Sequence, residues 1–210
     1  MKLTIFGATG SVGKLLVPNL LAKGHEVKIL TRNPKNLPNG FENVEAITGD
    51  VADPSAVAKA IEGADAVYCL LGAPLRDTSR IRERGTKVIV DEMKKQSIDR
   101  IICLSAFGTG ETWKLMPWSY RTLLGPLLLN RMFDDHNAQE KILKNSPLNW
   151  TFVRPVNLND DPANVLRVGE ADIPAQEKIG LKVSRQNVAK FMAEIASKAE
   201  TPRKAYWLAS

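Results

Sequence analysis

The sequence predicts one α/β domain built on a doubly wound parallel sheet. Three observations carry that expectation. Short apolar strand patterns alternate with helical patterns along the chain, the rhythm of strands joined by helical crossovers. Runs such as Val67-Tyr68-Cys69-Leu70-Leu71 are continuously apolar, as strands covered on both faces require. The first strand, residues 2–6, runs straight into a turn with Gly7, Gly10 and Gly13 at three-residue intervals.

The elements follow in order. Strand patterns occupy 2–6, 27–31, 44–48, 66–71, 100–105 and 150–154. Helical patterns occupy 14–23, 54–61, 81–96 and 134–145. Pro18 falls inside the first helix, where a kink is expected. Asp53-Pro54 reads as an N-cap followed by proline at the first helical position. Two stretches break the rhythm. Residues 107–133 hold Trp113, Met116, Trp118, Tyr120 and the run 123–129, too apolar for a solvated linker. They are expected to cover the substrate end of a site, to pack at a subunit interface, or both. Residues 156–177, with Asp160, Asp161, Pro162, Asp172 and Pro174, form a second irregular substrate-side segment. The whole chain, 1–210, is read as a single domain with a small C-terminal substrate-side region.

Composition narrows the class. The chain has 210 residues, 44% hydrophobic and 25% charged, ordinary for a globular domain. No apolar run reaches the roughly 18–20 residues that span a bilayer, and no signal peptide is recognisable. The expectation is a soluble cytoplasmic protein, monomer or homodimer, with no membrane or nucleic-acid partner. Cys69 and Cys103 lie in apolar strands and read as buried reduced thiols. With His25 and His136 the only histidines, no metal site is expected. The net charge of +6 is scattered, with no basic run longer than two, so nucleic-acid binding would rest on charge alone. A positive field that draws in a multiply anionic cofactor accounts for it equally.

The glycine turn brings backbone N–H groups to a helix start, where a diphosphate can sit. Its spacing is G-x-x-G-x-x-G, and the strand before it and the helix after it supply the context that gives such a triplet meaning. Gly7, Thr9, Gly10, Ser11, Val12 and Gly13 are the candidate phosphate residues. The second strand ends Thr31-Arg32-Asn33-Pro34-Lys35, and no acid occurs between Val27 and Phe41. Nothing there awaits a free 2′-hydroxyl, whereas Arg32 would take a 2′-phosphate, so the cofactor expected is NADP(H). Asp50 and Val51, ending the third strand, are candidates for the adenine, Asp50 equally for a turn. Leu71 and Gly72, small and apolar, end the fourth and suit a backbone passing close to the riboses.

These residues together resemble a known family. Thr-Ile-Phe-Gly-Ala-Thr-Gly-x-x-Gly, Thr-Arg-Asn, Gly-Asp-Val, Leu-Leu-Gly, Leu-Ser-Ala-Phe at 104–107 and Phe-Val-Arg-Pro at 152–155 are similar to the atypical short-chain dehydrogenase/reductases. Within them the likeness is to the NAD(P)H-binding proteins grouped with biliverdin-IXβ reductase/flavin reductase. Asp134-Asp135-His136 and the amphipathic helix with Lys141-Ile142-Leu143 share it, and it runs over nearly the whole chain. The resemblance implies a Rossmann-type sheet and puts Ser105 where the family's serine belongs. It also implies a Tyr-x-x-x-Lys pair, and here the chain departs. Aligning Glu140 with the family's glutamate puts Met132 at the tyrosine and His136 at the lysine. Gly72, Leu124 and Ser210 stand four residues after Tyr68, Tyr120 and Tyr206.

Without that pair, hydride transfer relies on positioning more than on a built-in acid. The sequence therefore predicts an NADPH-dependent reductase of a flavin, quinone or tetrapyrrole-like acceptor. The alternative is a non-catalytic NADP(H)-sensing regulatory protein. Ser105 and His136 are the candidate catalytic residues, Ser105 also toward the nicotinamide carboxamide. His136 would hold a ribose hydroxyl or relay a proton. The backbone from Pro155 through Val156 should border the nicotinamide. Lys114 and Arg121 are candidates to meet an anionic substrate.

Overall fold

β1 (Lys2–Phe6) lies at the centre of the sheet because it pairs on both sides, with β2 (Glu26–Thr31) and with β4 (Ala66–Cys69), both parallel. The computed structural model describes residues 1–74, 77–161, 165–171, 179–198 and 201–210, and of 124–128 the backbone alone. From β1 the chain winds outward through β2 to β3 (Val44–Thr48), then returns to β4. It winds the other way through β5 (Arg100–Leu104) to β6 (Asn149–Pro155). A short β7 (Asn157–Asn159), β8 (Arg167–Glu170), β9 (Lys182–Ser184) and β10 (Lys204–Ala209) complete the strands. The main sheet has the order β3-β2-β1-β4-β5-β6-β10-β8, with β7 and β9 pairing apart. Only β8 runs antiparallel, against β10. The order reverses between β1 and β4, and a doubly wound sheet opens a crevice beyond the strand ends at such a point.

Alternation along the strands sends side chains into two cores. On one face, α1 (Gly13–Ala22) and α5 (Arg185–Glu194) bury Leu16, Val17, Leu20, Val188 and Met192 against Leu3, Ile5, Val27 and Ile29. On the other, α2 (Pro54–Ile61) and α3 (Ile81–Lys95) bury Val57, Ile61, Ile89 and Met93 against Phe6, Leu30, Val67 and Ile101. Leu143 of α4 (Asn130–Lys144) joins this second core. Thr4, which points at the α2 side, satisfies its hydroxyl on the Ala60 carbonyl at 2.7 Å. Asp53 caps α2, accepting from the Ser55 N–H at 2.9 Å, as its sequence predicts.

The element boundaries differ from the sequence reading where the chain turns into the crevice. β4 stops at Cys69 and β5 at Leu104, and the residues beyond become crevice walls. Pro18 does not end α1, and the Asn19 side-chain amide donates to the Leu15 carbonyl at 2.7 Å. α4 begins four residues before the expected Asp134. Asp135 looks like a helix-start acid, but it serves another helix. Its carboxylate accepts from the N–H groups of Arg82 (3.3 Å) and Glu83 (2.9 Å) in the first turn of α3. The apolar stretch 107–133 forms a 3-10 helix, Gly110–Leu115, and a π-helix, Tyr120–Leu129, which leads into α4. Within 156–177, Pro162, Asp172 and Pro174 lie outside the described residues. α5 and β10, beyond the last strand read from sequence, complete the sheet and its first core. Cys69 and Cys103 are register partners on β4 and β5, buried and unbridged.

Candidate active site

A cleft of about 1150 Å³ lies at the point where strand order reverses. The turn after β1 forms its floor. Gly7 has φ +85°, and a Cβ there would come within 2.2 Å of the Leu70 carbonyl oxygen. A Cβ on Gly13 would stand 2.4 Å from the Gly7 oxygen. Both positions demand glycine because backbone presses on backbone. Gly10 N–H closes the turn on the Gly7 carbonyl at 3.0 Å. α1 then starts with no side-chain cap and no acid in its first turn. Its leading N–H groups and the positive end of its dipole are left for an anion.

Thr9, Ser11, Val12, Leu71, Gly72, Pro155 and Val156 join the three turn glycines on the cleft wall. Arg32 stands there exposed at the end of β2. Asp50 and Val51 are beside it. Asp50 Oδ1 is engaged in the turn, accepting from the Ala52 N–H at 2.9 Å.

At the far end the cleft changes character. Phe107, Met116, Tyr120, Leu129, Met132 and Phe133 surround it. Ser105 and His136 line the same end, both buried. Ser105 Oγ donates to Glu140 Oε1 at 2.6 Å and lies 3.2 Å from Thr109 Oγ1. Its proton is committed to a carboxylate, and its remaining lone pair is what it can offer a ligand.

Burial drives the His136 imidazole down to a pKa of about 3, with nearby Arg82 adding to the effect. It is therefore neutral at physiological pH. A resting positive charge on the ring is thereby disfavoured, and its hydrogen-bonding capacity is what the cleft retains. Its Nδ1 is buried without a partner among the described residues.

Beneath Ser105 lies a buried ion pair. Arg154, 0% exposed, donates Nε to Glu140 Oε1 (2.9 Å) and Nη2 to Glu140 Oε2 (2.6 Å). Nη2 also meets Glu111 Oε2 at 2.9 Å, and Lys144 holds Glu111 Oε1 at 2.7 Å. Partial burial pushes the Glu111 carboxyl up, but the Lys144 and Arg154 contacts outweigh it and hold it at about 2. The same carboxylates raise Arg154 against its own desolvation, so it stays charged.

Lys114 and Arg121 do not face the cleft. Both are exposed, and the cations on its wall besides Arg32 are Arg82 and Arg185. Arg185 pairs with Asp160 at 2.9 Å, and Arg82 with Asp135 at 3.2 Å. Neither arginine carries a sequence signal, because each reaches the cleft through a long-range contact. Tyr120, read in sequence only as part of the apolar segment 107–133, also lines the cleft. Its hydroxyl accepts from the Asn157 side-chain amide at 3.2 Å, joining the segments 107–133 and 156–177 at the cleft. Among the described residues no cluster of three or more His, Cys, Asp or Glu could hold a metal.

Comparison with known proteins agrees with this geometry. An uncharacterized chloroplastic protein of Arabidopsis thaliana is 28% identical over 228 residues, covering 98% of this chain and 80% of that protein. The chain spans less than half the length of other curated relatives it matches, among them sterol demethylase protein B of Methylococcus capsulatus. A short-chain dehydrogenase/reductase of Veillonella parvula, solved in complex with NADP, superposes with a TM-score of 0.83 at 21% identity. That match covers 100% of this chain and 94% of the other. An anaerobilin reductase of Escherichia coli O157:H7 superposes with a TM-score of 0.76 at 24% identity, covering 100% and 97%. At such identities these two likenesses establish the Rossmann-type fold. Residues 7–199 match the NAD(P)H-binding family, and the chain belongs to it.

Proposed function

We propose that this protein is an NADPH-dependent reductase of a flat, conjugated acceptor of the flavin, quinone or tetrapyrrole kind. The single observation behind this reading is that one cleft joins a phosphate cradle to an apolar chamber. The cradle and the chamber's polar atoms fit a dinucleotide. The uncapped start of α1 suits its diphosphate. Arg32 suits a 2′-phosphate, and Asp50 retains one free carboxylate oxygen for an adenine amino group. His136 Nδ1, buried and unpartnered, suits a ribose hydroxyl or the carboxamide. When bound, the nicotinamide supplies a hydride.

The chain's own contribution is orientation. Ser105 is fixed by Glu140, and Glu140 by Arg154, so the lone pair of Ser105 points to a carboxamide donor in one geometry. Phe107, Met132 and Phe133 supply apolar walls that exclude water from the acceptor's ring face. With Met132 in place of a tyrosine and His136 neutral, no strong acid faces the chamber from α4. Protons then come from solvent or from the Tyr120 hydroxyl, which receives Asn157 and keeps its own hydrogen to give. The two unbridged thiols suit an intracellular, reducing compartment such as the cytoplasm.

Mixing the protein with NADPH and, in turn, FMN, a quinone and a linear tetrapyrrole tests the reading through loss of nicotinamide absorbance. Oxidation with at least one acceptor, faster than with NADH, is the expected result. Tight NADPH binding with no turnover on any acceptor would instead point to a cofactor-sensing protein.

A further inference from the structure

The stretch 107–133 does two things at once. Its inner side chains Met116, Tyr120 and Leu129 line the chamber, while Trp118 and Leu123 stand 73% and 56% exposed. Large apolar side chains this exposed are few among the described residues, and these two lie five residues apart across the start of the π-helix. Extended π-helix is rare and concentrates at functional sites.

Charge says what covers this face. From Thr112 to Phe133 the chain carries Lys114, Arg121 and Arg131 and no acid at all. All three cations are exposed. Of the flanking acids, Glu111 is taken up by Lys144 and Arg154, and Asp134 lies beyond Arg131. A second copy of this chain is a poor occupant, because a two-fold contact would set this cationic patch against its own twin. An exposed tryptophan and leucine in an exposed lysine- and arginine-bearing segment free of acids instead match the boundary of a bilayer with anionic headgroups.

We propose that this face docks on an anionic phospholipid surface. Trp118 and Leu123 enter the headgroup–acyl boundary, and Lys114, Arg121 and Arg131 contact lipid phosphates. No helix among the described residues is long and apolar enough to cross a membrane, so the contact is peripheral. It departs from the sequence-based expectation of no membrane partner. Because the same segment walls the chamber, docking sets the chamber's apolar end beside the bilayer, where an apolar acceptor concentrates.

Vesicle binding tests this without reference to any acceptor, so it stands or falls apart from the reductase reading. The full chain is mixed with vesicles of phosphatidylcholine alone or of phosphatidylcholine with phosphatidylglycerol. The expected result is co-sedimentation with the anionic vesicles about tenfold or more stronger than with the neutral ones, weakening with salt. Tryptophan emission should shift to the blue, since Trp113, Trp150 and Trp207 are already partly or fully buried. Trp118→Ala should abolish the shift, and Arg121→Glu should lower binding about tenfold. Thermal midpoints near that of the parent chain would show both variants folded. No vesicle binding, equal binding to both vesicle types, or binding untouched by either variant would overturn the proposal. So would a lipid-free dimer that buries Trp118, which would assign the face to a second copy.

Discussion

Arg32 stands exposed on the cleft wall, just past the end of β2, and reaches into solvent. Its value lies in what it meets. A charge-assisted hydrogen bond to a 2′-phosphate contributes roughly 1.5–3 kcal/mol. Arg32→Ala should therefore weaken NADPH binding about tenfold or more and leave NADH almost unchanged, with no loss of stability. Calorimetric titration of both cofactors checks this, and equal weakening of the two would detach Arg32 from the phosphate. Its position is legible in sequence because a strand end places the next residue without help from elsewhere. His136 is the opposite case. Its residue type suggests a titrating relay, but the walls that bury it come from other elements, and burial, helped by the Arg82 charge, lowers its pKa.

Among the elements, α4 carries the densest polar face. Asp135, His136, Gln139 and Glu140 all turn inward, and each answers a different part of the fold. Asp135 holds α3, and Gln139 donates to Thr86 Oγ1 at 2.9 Å. Glu140 joins Ser105 to Arg154. Without the Glu140 charge, Arg154 keeps only the part-exposed Glu111 as counter-ion, and breaking a buried pair in this way costs about 3–5 kcal/mol at most. Glu140→Gln should lower the unfolding free energy by about that amount in a urea titration. Combining it with Arg154→Met should recover part of the loss, since no orphaned charge then remains. A single-variant loss below about 1 kcal/mol would show that the pair is solvated rather than buried. Helix periodicity shows which residues of α4 share a face. It does not show that this face meets β6 and the Ser105 turn.

For the molecule as a whole, the shifted groups make stability depend on pH on the acid side. His136 is lowered from 6.5 to about 3, so below pH 6.5 the unfolded chain binds a proton that the native state refuses. Stability present above 6.5 is then lost as pH falls toward 3, at about 1.4 kcal/mol per pH unit through that window. His25 is shifted the same way, chiefly by burial, and adds to the loss. Glu111, lowered from 4.5 to about 2, joins below pH 4.5, so the decline steepens there. Urea midpoints taken from pH 7 to pH 4 should show this fall, and His136→Gln should flatten the part above 4.5. An unchanged slope in that variant would mean that His136 accepts a proton in the native state.

The contrast in what could be read follows from range. The doubly wound sheet, the glycine turn, the Asp53 cap and the NAD(P)H-binding character are set by residues a few positions apart. Turn geometry, capping and strand alternation act over that distance, so the sequence by itself determined them. The C-terminal strands escaped because β8 and β10 find their partners only when the sheet is assembled. The same holds for function. Lys114 and Arg121 look like substrate contacts in sequence and face solvent in the fold, while Arg82 and Arg185 enter the cleft on ion pairs 53 and 25 residues long in the chain. Only tertiary structure decided which cations point inward, which histidine is neutral and whose hydroxyl is already spent. Each depends on desolvation and pairing between elements distant in sequence, and neither force exists before the elements meet.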